Sequence, residues 1–137
     1  MTTNKILISK AKKFYENKNF FEAKTHLIRV LKNNQIDKTI KISLYILISD
    51  VCYKINEFKN AEKYLLESIK LGKSSAEIFN SLGNIYLKKR DYKNSENSYL
   101  KSINIEKKNE IALVNLAILY HNLGRQKEAI TFYKKVL

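Results

Sequence analysis

At 137 residues, 45% of them hydrophobic, the chain has material for one modest core, and its formal net charge of +13 favours acidic partners. It contains no proline, three glycines and a single cysteine, Cys52, so an internal disulfide is excluded and long helices meet few breakers. The polar start, Met-Thr-Thr-Asn-Lys, lacks the charged-then-apolar profile of a secretion signal, and the longest nearly apolar run, 42–53, is interrupted by Asp50 and too short to cross a bilayer; a cytoplasmic location without a membrane span is the expectation.

Apolar residues spaced i, i+3, i+4, i+7 predict eight amphipathic helices. The first pair covers 4–17 and 20–33 and is joined by Asn-Lys-Asn; its apolar stripe carries Leu7, Ala11 and Phe14, then Phe20, Ala23 and Leu27. A polar stretch at 34–39 follows. The second pair, 40–55 and 58–71, turns at Asn56-Glu57, and the third, 76–89 and 92–105, turns at Lys89-Arg90-Asp91. The fourth, 110–123 and 126–137, turns at Gly124-Arg125. Such short polar connections suit antiparallel helix pairs.

The pairs repeat one another. Phe79, Leu82, Tyr86, Ser95 and Tyr99 precede Leu113, Leu116, Tyr120, Ala129 and Tyr133 by 34 residues. The same interval leads back to Tyr45, Ile48, Cys52, Ala61 and Leu65. With four extra residues around 34–39, Leu7, Ala11, Phe14, Phe20, Ala23 and Leu27 fall into phase as well. Small residues at Ala11, Gly83 and Ala117, and at Ala23, Ala61 and Ala129, would let paired helices approach closely. One hairpin cannot bury both faces, so such units stack into arrays.

An aromatic, then Leu-Gly, Tyr, Ala and an aromatic within 34 residues is the pattern that this chain resembles: that of the tetratricopeptide repeat (TPR) family. Phe79, Leu82-Gly83, Tyr86, Ser95 and Tyr99 carry it best, and Leu113, Leu116-Ala117, Tyr120, Ala129 and Tyr133 follow. Lys10 replaces the first unit's Leu, and Lys73 and Lys107 stand where the family has proline. The resemblance implies an all-α fold, a right-handed α-solenoid of four TPR-like helix-turn-helix repeats in a single domain, 4–37, 42–75, 76–109 and 110–137, the last truncated within its second helix.

Packing accounts for the repeating tyrosines, so Tyr86, Tyr99, Tyr120 and Tyr133 are expected in the core, and Cys52, in the place of one of them, is expected to be buried and inert. His26 and His121 lack partners at metal-ligand spacing, and no phosphate-binding glycine loop or nucleophile motif is present; neither an enzyme nor a metal or cofactor is expected.

The resemblance implies instead a groove, lined by the first helix of each repeat, that holds a partner peptide. Carried over by position, its residues are Lys5, Ile8, Ser9, Lys12 and Tyr15, then Ile46, Asp50, Tyr53 and Lys54, then Asn80, Asn84, Leu87 and Lys88, then Ile111, Val114, Asn115, Ile118, His121 and Asn122. Tyr15, Tyr53, Leu87 and His121 occupy one position in successive repeats and would form an amphipathic row. Asn80, Asn84 and Asn115 supply only the amide part of the family's carboxylate clamp, and Ser9, Leu47, Ser81 and Asn115 only one member of its asparagine ladder.

A protein-interaction scaffold is therefore the expected function. The alternative is the substrate-recruiting N-terminal segment of a larger enzyme, such as a glycosyltransferase or sulfotransferase, because the last helix reaches Leu137 without a stop signal. That uncapped helix also admits self-association. Nucleic-acid binding ranks below both, since 23 lysines against three arginines, scattered over every unit, favour acidic protein partners over base or phosphate readout.

Overall fold

A computed structural model describes residues 2–33 and 35–137, Thr2 by its backbone alone. The described residues form eight helices and no strand: α1 (Thr2–Glu16), α2 (Phe20–Leu31), α3 (Lys38–Lys54), α4 (Phe58–Lys70), α5 (Ala76–Lys88), α6 (Tyr92–Ile105), α7 (Glu110–Asn122) and α8 (Gln126–Val136). Each boundary lies within two residues of its predicted place. Asn34, the first residue of the polar insertion, lies outside the described residues.

The helices pair because one turn is made four times. Lys18, Asn56, Arg90 and Gly124, equivalent in the repeat, all adopt the left-handed conformation, with φ of 62°, 63°, 60° and 78°. The following N–H then reaches back five residues: Asn19 to Phe14 O, Glu57 to Cys52 O, Asp91 to Tyr86 O and Arg125 to Tyr120 O, at 2.7 to 2.9 Å. This satisfies a carbonyl that the helix end would leave unpaired. Without proline, three of the first helices start instead from side-chain caps. Asp37, Ser75 and Asn109 accept from the backbone N–H of Ile40, Ile78 and Ala112.

Within each hairpin the two helices cross at small residues: Ala11 with Ala23, Ser49 with Ala61, Gly83 with Ser95, and Ala117 with Ala129, all buried. Hydroxyls tie two of these crossings. Ser49 Oγ donates to Ala61 O at 2.7 Å, and Ser95 Oγ donates to Gly83 O at 2.8 Å, so the donor changes helix from one repeat to the next.

The hairpins form two compact units, Met1–Lys73 and Ser74–Leu137. In the first, α2 packs on α1 and α3, and α3 on α4, around Leu27, Val30, Ile48, Val51 and Leu65. In the second, α6 packs on α5 and α7, and α7 on α8, around Leu82, Ile85, Tyr99, Leu116 and Tyr120.

Of the repeating tyrosines, Tyr99 and Tyr120 are buried as expected and Tyr86 is half-buried, but Tyr133 is 39% exposed. Tyr99 lies on α6, which packs on both α5 and α7, whereas Tyr133 lies on α8, which packs chiefly on α7. A Cβ on Gly83 would stand 2.4 Å from Tyr99 Cε1, so this ring needs glycine beneath it. Ala117 stands at the equivalent position in the next repeat.

The turn geometry yields a paired expectation. Gly124 has open space around its Cα, so Gly124→Ala should cost about 1–2 kcal/mol through backbone strain alone. Arg90→Gly relieves the same strain and should raise stability by up to about 1 kcal/mol. Urea unfolding midpoints test both, and a loss of stability in Arg90→Gly would contradict a strained turn.

Candidate functional site

In the first unit, α1 and α3 carry the expected groove residues. Lys5, Lys12 and Asp50 are exposed, while Ile8, Tyr15, Ile46 and Tyr53 are half-buried. The Tyr15 hydroxyl donates to the Asp50 carboxylate and so joins the two helices. Burial first, and then that bond, push the Tyr15 hydroxyl up to about 12. It is therefore a neutral donor throughout the physiological range. A small pocket of about 110 Å³ beside it is lined by Ala11, Lys12, Tyr15, Glu16, Leu27, Leu47 and Val51.

In the second unit, α5 and α7 bring Asn80, Asn84 and Asn115 together. Asn115 Nδ2 donates to Asn80 Oδ1 at 3.0 Å and reaches Asn84 Oδ1 at 3.5 Å. Tyr99, from α6, donates its hydroxyl to Asn84 Oδ1 at 2.5 Å. The row of amides is thus held from below by a core tyrosine. Val114 and Leu87 flank it half-buried, and Ile118 and His121 are exposed.

The residues expected to form an amphipathic row are hairpin corners as well. Tyr15 meets Phe20 edge-on at 5.3 Å and Tyr53 meets Phe58 edge-on at 5.6 Å. His121 Nδ1 lies 2.9 Å from Gln126 Oε1. Leu87 packs against the buried cluster around Tyr99 and Tyr120. Tyr15, Tyr53 and His121 therefore spend part of their surface closing their own repeats, and Leu87 packs on a cluster drawn mainly from the next one.

Cys52 is fully buried, and its thiol is pushed up to about 11 by burial, opposed by the Lys24 ammonium. That makes it a poor nucleophile at neutral pH. Among the described residues no cluster of His, Cys, Asp or Glu is arranged to hold a metal ion, and no helix is long and apolar enough to cross a membrane.

Models of the tetratricopeptide repeat match residues 42–72, 76–109 and 98–131. The chain belongs to the tetratricopeptide repeat family. The match at 98–131 begins inside α6 and ends inside α8, a shifted frame on the same periodic sequence. No curated protein matches the sequence. Solved structures share its fold at low identity. MamA is 21% identical with a TM-score of 0.84, over 97% of this chain and 75% of that one. A tetratricopeptide repeat protein from Parabacteroides merdae is 14% identical with a TM-score of 0.89, over 100% of this chain and 53% of that one. YrrB, described as a TPR protein with an unusual peptide-binding site, is 15% identical with a TM-score of 0.76, over 95% of this chain and 65% of that one. Membership of this family makes the chain a protein-interaction scaffold in the general sense.

Successive tetratricopeptide repeats within each unit are joined by a charged contact that the sequence reading missed. The second helix of one repeat meets the hairpin turn of the next. In the first unit Lys24 Nζ lies 2.6 and 2.8 Å from the Glu57 carboxylate oxygens. At the same repeat positions of the second unit the charges are reversed, and Arg125 Nη1 donates to Glu96 Oε2 at 3.2 Å. Tyr120 also donates to Glu96, at 2.8 Å, and the Arg125 guanidinium stacks over its ring at 4.3 Å. Cys52 stands where Tyr120 stands, so a carboxylate at position 24 would lack the hydroxyl that supports Glu96. Comparing charges across the repeat register, rather than along each helix, would have exposed this reversal.

The hydrogen bond from Lys24 holds the Glu57 carboxyl below its ordinary value of 4.5, against the opposing effect of burial. Its contribution to stability is complete above that unfolded value and disappears as pH falls through the lower folded one. At neutral pH, Lys24→Glu should cost about 1 kcal/mol, and Lys24→Glu with Glu57→Lys should recover most of it. Unfolding curves near pH 7 and pH 3 test this. A charge-swapped protein no better than the single variant would remove the pairing argument.

Proposed function

We propose that the chain is a peptide-binding adaptor and that the α5–α7 face of its second unit grips the main chain of an extended partner segment. The observation that carries this reading is the row formed by Asn80, Asn115 and Asn84 with the Tyr99 hydroxyl beneath it. An extended peptide offers N–H and C=O groups along its length, and amides are the side chains that both donate and accept. Those already tied to one another lose little further freedom on binding, so more of each hydrogen bond counts toward affinity.

Val114, Leu87 and Ile118 add apolar contact beside the amides, and His121 extends the face at the end of α7. On the first unit, α1 and α3 carry Lys5, Lys12, Ile8, Ile46 and Tyr53 besides the Tyr15–Asp50 pair and supply a mixed apolar and charged face for the same class of ligand. The net charge of +13 biases selection toward acidic segments. The description of YrrB as peptide-binding shows that this fold is used in that way elsewhere.

Selection of random peptides on the immobilised protein at physiological salt, followed by titration of the winners, tests the reading. Asn115→Ala removes the bridging amide and should weaken those peptides about tenfold, the worth of one to two hydrogen bonds, with the thermal midpoint nearly unchanged. Ile118→Ser should weaken them as well. Selected peptides that bind both variants as tightly as wild type would place binding elsewhere on the molecule.

A further inference from the structure

A cleft of about 460 Å³ opens between the second helices α6 and α8, whereas the amide row joins the first helices α5 and α7. Leu100, Ile103 and Leu113 form its apolar lining, and Asn104, Lys107 and Lys135 complete it. Leu113 is buried, Ile103 is half-buried and Leu100 is 38% exposed, so apolar surface is presented to solvent at the mouth.

The repeat register explains why the space is open. Leu113 occupies the position of Tyr45, two repeats earlier, where the ring packs against Tyr64 at 5.9 Å. In the fourth repeat the residue equivalent to Tyr64 is Phe132, and it packs instead against Tyr120 at 5.6 Å. An aromatic pair has become a leucine and a ring engaged elsewhere.

The lining of this cleft carries lysines without carboxylates, unlike the other lysine-lined surface. On α4, Lys59, Lys63 and Lys70 alternate with Glu62 and Glu67, and Lys70 pairs with Glu67 at 3.2 Å. Among the described residues no carboxylate lines the α6–α8 cleft. The Lys135 ammonium is held over the Phe132 ring at 4.6 Å. The nearest acid in sequence to Lys107 is Glu106, which accepts from Asn109 Nδ2 at 3.2 Å.

We propose that this cleft is a second docking site, taking a short segment of a partner protein in which one or two large apolar side chains stand beside carboxylates. The leucine and isoleucine lining accepts the apolar side chains, and Lys107 and Lys135 neutralise the acids beside them. Lysine acts as a point charge on a flexible stem, so each ammonium can follow a carboxylate along a linear segment. A nucleic acid would use the two charges but leave the apolar lining unfilled.

The test is an amide NMR titration of the whole chain at physiological salt with the blocked peptide acetyl-Asp-Glu-Leu-Phe-Glu-Asp-amide. The comparison probes are acetyl-Asp-Glu-Gly-Ser-Glu-Asp-amide and an oligothymidine. Saturable shifts of the first peptide should map to 100–107, 113 and 132–136. Lys107→Ser with Lys135→Ser should weaken it about tenfold, while Lys93→Ser with Lys127→Ser, an equal loss of charge outside the cleft, should change it by less than about twofold. Leu113→Tyr, which restores the ring found at Tyr45, should remove binding with both lysines present, and Asn115→Ala should leave it intact. The proposal is overturned by shifts confined to α5 and α7, by equal binding of the peptide without apolar residues or of oligothymidine, or by no saturable shift.

Discussion

Each hairpin depends on letting two helix backbones pass close together at one point, and small residues twelve apart permit it: Ala11 and Ala23, Ser49 and Ala61, Gly83 and Ser95, Ala117 and Ala129. A larger side chain there would hold the helices apart and strip the neighbouring leucines of their contacts. Where the pair includes serine, the hydroxyl bonds to the facing carbonyl, which offsets the cost of removing it from water at a buried crossing. At Gly83 the constraint is used twice, because the same absence of a Cβ admits the Tyr99 ring, and Tyr99 in turn anchors Asn84. Core packing and the amide row are therefore one piece of construction.

The left-handed turn residues set the angle at which helices enter and leave these crossings. The corner side chains, Tyr15 on Phe20 and Tyr53 on Phe58, then cover the turns. Between repeats of one unit, a charged contact at fixed register does the joining, with Lys24–Glu57 in one sense and Glu96–Arg125 in the other. The two pairs have opposite polarity, and each stabilises only the junction within its own unit.

Much of this was legible in the sequence because it is periodic. A 34-residue phase, the apolar stripes and the small residues appear as spacings, and spacings survive without coordinates. What did not show were contacts between residues far apart whose types vary from repeat to repeat. The Tyr99 hydroxyl on Asn84 is a core residue reaching a surface amide. The exposure of Tyr133 follows from the packing of α8 chiefly on α7, where α6 packs on two helices. The α6–α8 cleft results from Leu113 replacing a ring at the position of Tyr45. The candidate face was legible as positions, since Asn80, Asn84 and Asn115 were placed by register, but their mutual hydrogen bonds depend on how closely α5 and α7 approach, which no spacing encodes.

Function thus rests on how first and second helices divide their surfaces, and that division rests on the crossings. The most direct measurement is equilibrium unfolding of three separate variants, Ala23→Leu, Ala61→Leu and Ala129→Leu, which enlarge the crossing in different hairpins. The account predicts a loss of about 1–3 kcal/mol in each, since every hairpin obeys the same constraint. A variant within about 0.5 kcal/mol of wild type would mean that its hairpin is held by something other than the close crossing, and would contradict the shared design.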